Sequence, residues 1–286
     1  MSQKKKISVA QIDCVLGEIE PNLEKHYQVI EQAIQAKSDL IVFPELSLTG
    51  YFLKDAVFQV ALHDSDSKLN KLKELSKHIG IAVGMVELSD RFEFFNSQLL
   101  FHNGELIAKH RKVYLPTYSL FEEKRYFSEG TRFRAFDTPF GRLGMLICED
   151  QWHPTSALIQ AHDGAQVIIV SAAGVARGAT QAEKPQNVMV WETLNRAIAV
   201  FTTSYIVFVN RVGVEDGVMF WGGSEIIHPS GSSIQQASYF KEEMMHVEID
   251  LLELKHARVN TQLLKEEKFD ILLHEFARLA EQKREY

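Results

Sequence analysis

At 286 residues, with 45% hydrophobic and 24% charged content, the chain can bury a sizeable core and has the composition of a soluble globular protein. A net charge of −7 argues against a nucleic-acid binder, and the one basic run, Lys4-Lys5-Lys6, reads as a solvated N-terminus. Two cysteines cannot build a disulfide framework, no apolar run reaches the ~18 residues of a membrane span, and the first residues lack the apolar core of a signal peptide; a cytoplasmic protein with reduced thiols is expected.

The segment 7–14, "ISVAQIDC", reads as a buried strand, and 21–37 as a helix with Leu23, Tyr27, Ile30 and Ile34 on one face and Pro21 in its first turn. A short strand at 39–45 is stopped by Pro44. A helix over 65–78 precedes a strand over 79–88, and 92–112 reads as two strands joined at Asn103-Gly104, a dipeptide suited to a tight hairpin. The alternation then repeats: strand 141–150, helix 155–162, strand 165–174, helix 184–200, strand 204–213. Residues 219–236 suggest a further hairpin turning at Pro229, Ser230 and Gly231, and 262–281 a final helix with Phe269, Leu272, Phe276 and Leu279 on one face. Because hairpins interrupt the strand–helix alternation, the sheets should be mixed. One α/β domain over 1–261 is expected, with 262–286 as a helical tail and candidate subunit contact.

Three strand exits carry reactive groups: Glu45 after "LIVFP", Lys112 after "LIAKHR" and Cys148 after "GMLI". Strand ends in layered α/β folds are where a sheet fixes a side chain and loops admit ligand. A thiol becomes a strong nucleophile only with a base to take its proton or a cation to favour the thiolate, roles open to Glu45 and Lys112. On pattern alone, however, a strand-end cysteine is more often a small buried hydrophobe, and spacing does not link residues so far apart. Cys14, inside the first strand, reads as core packing. The histidines show no HExxH and the cysteines no paired CxxC spacing, so no metal site is expected. "PSGSS" (229–233) reads as a turn rather than a phosphate loop.

"FPELSLTGY" (43–51), "HRKVYLP" (110–116) and "GRLGMLICED" (141–150) resemble the three signature blocks of the nitrilase superfamily of carbon–nitrogen hydrolases, in the family's order. The similarity runs from "ISVAQID" to the strand near 244–250. It implies a four-layer αββα sandwich, a Glu–Lys–Cys triad at Glu45, Lys112 and Cys148, and a second glutamate at Glu123 in "FEEKRYF". "PELSLTGYFLKD", "LPTYSLFEEKRYF" and "CEDQW" are more similar to the glutamine amidase domain of glutamine-dependent NAD synthetases, which implies that Tyr51, Tyr118 and Glu149 help to hold substrate. No P-loop or other nucleotide motif accompanies them, so a free-standing amidase is expected. Arg177, after the strand that follows Cys148, is a candidate partner for a substrate carboxylate, and Trp152 and His153 are candidate pocket walls or ordinary packing. The expected function is hydrolysis of a small amide, glutaminase-like or omega-amidase-like, through a cysteine thioester, without metal or organic cofactor. N-carbamoyl hydrolysis, an amidase subunit or a non-catalytic binder are the alternatives. The expected partners are the amide substrate and a second copy of the chain, in a homodimer or higher homo-oligomer, with neither nucleic acid nor membrane.

Overall fold

Lys4–Gln11 form β1, in which Ile7 and Val9 face one side and Ser8 the other, the period of two expected of a strand between unlike layers. The structure, a computed structural model, describes residues 3–177 and 186–283. β1 pairs in parallel with β2 (Leu40–Val42), and β2 with β3 (Gly80–Leu88). β4 (Phe94–His102) and β5 (Glu105–Arg111) extend this sheet antiparallel, while β14 (Glu243–Asp250) lies antiparallel to β1 at the far edge. The second sheet has the parallel strands β7 (Gly141–Ile147), β8 (Val167–Ala172) and β9 (Tyr205–Asn210) at its centre. It is flanked by β6 (Ala135–Thr138) on one side and by β12 (Glu225–Ile227) and β13 (Ser233–Gln236) on the other. From β14 and from β6 the pairings run in one order: antiparallel, parallel, parallel, antiparallel, antiparallel. The mixed sheets are therefore two copies of one plan.

Side-chain alternation assigns the layers. Val167 and Ile169 of β8, and Tyr205, Val207 and Val209 of β9, meet Ile7, Val9, Leu40 and Val42 between the sheets. Ile168, Val170, Ile206 and Phe208 face outward, against Ala157 of α5 (Pro154–His162) and Val188, Trp191 and Ile198 of α6 (Gln186–Thr202). On the opposite outer face, Ile81, Val83 and Met85 pack with Leu23, Ile30 and Ala33 of α1 (Ile19–Gln35) and Leu72 of α3 (Asn70–Leu75). The result is the four-layer αββα sandwich. Two single turns, α2 (Val57–Val60) and α4 (Glu123–Tyr126), sit in the loops above it.

The hairpin at Asn103-Gly104 forms as its residues dictate, both with positive φ (51° and 83°). Other segments differ from expectation. The helix over 65–78 begins as a short turn at Ser67–Leu69, capped by the Asp66 carboxylate on Lys68 N–H, and only six residues of α3 are α-helical. Met219–Trp221 belong not to the β12–β13 hairpin but to β11 (Val218–Trp221), which forms a separate ribbon with β10 (Val212–Glu215). An unexpected helix, α7 (Glu253–Asn260), precedes the segment 262–281, which itself breaks into α8 (Leu263–Glu266) and α9 (Phe269–Gln282) around an extended Glu267. Among the described residues no helix is long and apolar enough to cross a membrane.

Candidate active site

β2 ends at Val42, and Phe43 and Pro44 carry the chain over the sheet edge to Glu45, which is 1% exposed. Its Oε1 accepts from Asn96 Nδ2 on β4 and from Lys112 Nζ, each at 2.7 Å, and its Oε2 accepts from the Ala173 N–H beyond β8 at 2.8 Å. Lys112 stands one residue past β5, its backbone N–H held by Asn96 O at 2.9 Å. Its ammonium is fully buried and also donates to Glu123 Oε1 at 2.6 Å, the same oxygen that accepts from Tyr51 Oη at 2.5 Å. Tyr51 is held in turn by Glu215, whose Oε2 accepts from the N–H groups of Tyr51 and Phe52 and which pairs with the buried Arg211.

Cys148 follows β7 and opens the turn Cys148–Trp152 with φ of 48°, a left-handed conformation that a side chain adopts only where its surroundings enforce it. Burial pushes its thiol well above the usual range; Glu45 raises it further and Lys112 opposes the rise. Burial alone would lower Lys112, but Glu123 and Glu45 overcome it and hold the ammonium well above its ordinary value. Glu123 is pushed up to about 7, first by burial, with Lys112 opposing and Glu45 adding to the rise. A buried cation is thus held between two carboxylates, within electrostatic reach of a protonated thiol. Proton transfer from the thiol toward Glu45 would generate a thiolate beside that cation.

Cys148 lies in a cleft of about 200 Å³, below the range of drug-sized sites, with Glu149, Tyr118, Trp152, Arg177 and Trp191 among its walls. Tyr118 Oη donates to Glu149 at 3.0 and 3.1 Å, and burial followed by the Glu149 charge pushes the phenol up to about 12. The Arg177 guanidinium lies over the Phe121 ring at 4.9 Å and the Tyr118 ring at 5.7 Å. Among the described residues, its buried Nη2 and the buried Oε2 of Glu123 have no hydrogen-bond partner.

The residues named from sequence therefore assemble in two groups. Glu45, Lys112, Glu123 and Tyr51 share one hydrogen-bonded network, and Cys148, Glu149, Tyr118 and Arg177 share the cleft. Trp152 lines the cleft, whereas His153 stacks on Tyr114 outside it at 3.5 Å. Cys14 is buried in the core, its thiol pushed up to about 12 by burial. Of the two carboxylates that follow Cys148, only Glu149 reaches the cleft. Asp150 is fully buried, its oxygens taken up by backbone N–H groups and His110. Sequence reading missed Asn96, a buried amide on Glu45. The signal was a polar triplet, Asn96-Ser97-Gln98, inside the apolar run of β4.

The carbon-nitrogen hydrolase family profile matches residues 6–259. The chain belongs to that family. Among curated relatives of this carbon–nitrogen hydrolase is a glutamine-dependent NAD(+) synthetase from Thermotoga maritima, 30% identical over 250 residues, which cover 86% of this chain and 42% of the synthetase. The chain thus spans less than half the length of such synthetases. A nitrilase from Pyrococcus abyssi is 30% identical over 261 residues, covering 89% of this chain and 93% of that one. Among solved structures, a carbon–nitrogen hydrolase from Helicobacter pylori superposes with a TM-score of 0.81 at 26% identity, over 94% of this chain and 96% of the other.

Proposed function

We propose that the protein hydrolyses the C–N bond of a small linear amide that carries a carboxylate, through a thioester on Cys148, releasing ammonia. The observation that carries this reading is the buried Glu45–Lys112–Glu123 network set against the Cys148 thiol at a narrow cleft. Cys148 Sγ attacks the amide carbonyl carbon as Glu45 takes the thiol proton. Lys112, with a backbone N–H near the cysteine, stabilises the oxyanion. Collapse breaks the C–N bond, and Glu45 returns the proton to the departing ammonia. Water then attacks the thioester with Glu45 as base, giving the carboxylic acid and restoring the thiol. The free Oε2 of Glu123 can accept an amide N–H, so that Glu123 orients both Lys112 and the substrate.

Support for a carboxylate-bearing substrate comes from Arg177, which brings to the cleft a buried N–H donor with no partner among the described residues. Glu149 and Tyr118 would accept an ammonium in a glutaminase-like substrate, whereas an omega-amidase-like substrate would need only the arginine. The glutamine-dependent relatives favour the first of these. A screen of linear amides, N-carbamoyl compounds and nitriles tests the reading by ammonia release, with Cys148→Ala as the blank. A carboxylate-bearing amide should turn over and give an acyl mass on the wild-type protein alone. Carbon dioxide released with the ammonia would move the substrate to the carbamoyl class. Turnover surviving in Cys148→Ala above roughly a thousandth of the wild-type rate would remove the covalent mechanism.

A further inference from the structure

The reaction above needs the nucleophile and the cation at a fixed separation, yet they leave strands of different sheets, Lys112 from β5 and Cys148 from β7. One side chain grips both exits. Asp150 is fully buried and lies two residues past Cys148. Its Oδ1 accepts from the N–H groups of Val113 and Tyr114, each at 3.0 Å, directly after Lys112. Its Oδ2 accepts from the Ile147 N–H at 3.1 Å, directly before Cys148, and lies 2.8 Å from Nε2 of the buried His110, two residues before Lys112. The lysine is therefore bracketed on both sides, and the strained backbone at Cys148 is pinned at its entry.

We propose that Asp150 is a positioning residue that sets Cys148 against Lys112, its carboxylate tying the nucleophile turn to the lysine strand with His110 as the second arm. The inference rests on the reading of Cys148 as nucleophile and Lys112 as its cation. Asp150 touches no cleft surface and takes no part in the chemistry. Its effect passes through backbone groups: an aspartate accepts from three N–H donors and the His110 ring at once, and an asparagine does not, because its amide nitrogen would face a donor. A carboxylate buried only for stability would lower the melting temperature when changed but leave the reactivity of the folded thiol alone. The two roles therefore separate experimentally.

The test needs no substrate. Wild type, Asp150→Asn, His110→Ala and His110→Gln are treated with iodoacetamide across pH, well below their melting temperatures, and alkylation of the Cys148 peptide is followed by mass. Asp150→Asn should slow alkylation at neutral pH at least tenfold and move its pH profile upward, because the thiolate loses its set distance from the Lys112 ammonium. His110→Ala should move the profile the same way by a smaller factor. His110→Gln, which restores an N–H donor toward Asp150, should recover most of that loss. Variants that melt lower but alkylate at the wild-type rate would overturn the proposal and leave Asp150 a stabilising group. Should Asp150→Asn fail to fold, the His110 pair decides by the same criterion. A wild-type Cys148 no more reactive than the buried Cys14 would overturn the nucleophile reading, and the proposal with it.

Discussion

Lys112 donates to Glu45 and to Glu123 from a position with no solvent contact, so its geometry is fixed by two oxygens rather than by water. Arginine keeps the charge but spreads it over a planar fork too broad for a site built for a compact ammonium. Lys112→Arg should therefore lower kcat by at least a hundredfold with the fold intact by circular dichroism; near-wild-type turnover would demote Lys112 to a structural cation. Glu123 brings a pH dependence. Its folded carboxyl is held near pH 7 rather than at its ordinary 4.5, so it keeps a proton that the unfolded chain has already lost between those values. This carboxyl carries no stability penalty below about pH 4.5, and the penalty grows as pH rises toward 7. Only the ionised form offers both oxygens as acceptors, Oε1 to Lys112 and Tyr51 and Oε2 to the substrate amide N–H, so kcat/KM should rise along a limb with a midpoint near pH 7. Glu123→Gln should abolish that limb, and an unchanged limb would assign it to another group. Of these residues, Glu45, Lys112 and Cys148 were legible because each stands in a signature block, and Glu123 because "FEEKRYF" resembles a further segment of the family. Asn96 and Asp150 were not, because an amide inside a strand and an acid beside a nucleophile reveal their partners only when distant segments meet.

Among the elements, β3 shows how closely the sheet edge is built around Glu45. At Gly84, a Cβ would stand 2.5 Å from Leu46 N and 2.6 Å from Pro44 O, both backbone atoms flanking Glu45. Gly84→Ala should therefore push the Glu45 loop off the sheet, costing about 1–3 kcal/mol of stability, with kcat falling in the same variant. A thermal melt and an ammonia assay check both halves; a variant of wild-type stability and rate would mean that the loop yields freely. The elements that sequence located well are those with an unambiguous period or turn. β8 and β9 alternate between two cores, and Asn103-Gly104 supplies its own turn. The helix over 65–78 shrank because the Asp66 side chain bonds the local backbone in a tighter turn, a competition that apolar spacing does not register. β6 and α7 were missed because four residues of strand, and a helix with Leu254 as its single buried residue, carry almost no periodic signal.

At the scale of the molecule, the C-terminal region departs from the rest. No residue of α9 is buried, and Phe269, Leu272, Phe276 and Leu279 stay exposed, Phe276 by 55%, although Phe269 touches the His162 ring edge-on at 4.6 Å. Ile159, Met189, Val190 and Phe201 add exposed apolar surface on α5 and α6. Patches of this kind rarely stay open to water, and a second copy of the chain, related by a two-fold axis, is proposed to cover them. Light scattering at micromolar concentration should give about twice the chain's 32.6 kDa or a higher multiple, and removal of residues 262–286 should lower it. A mass equal to the single chain would sink the proposal. The pairing of β1 with β14 has a different consequence, one that concerns the order of synthesis. Residues 4–11 leave the ribosome long before residues 243–250, and receive their outer neighbour only when those emerge. Until then β1 presents an open row of N–H and C=O groups along a strand with an apolar face, the feature that invites pairing with other chains. A chain cut after residue 242 should collect in the insoluble fraction, whereas one cut after residue 261 should remain soluble and keep its alkylatable Cys148. For most of its synthesis, then, this protein depends on a strand it has not yet made.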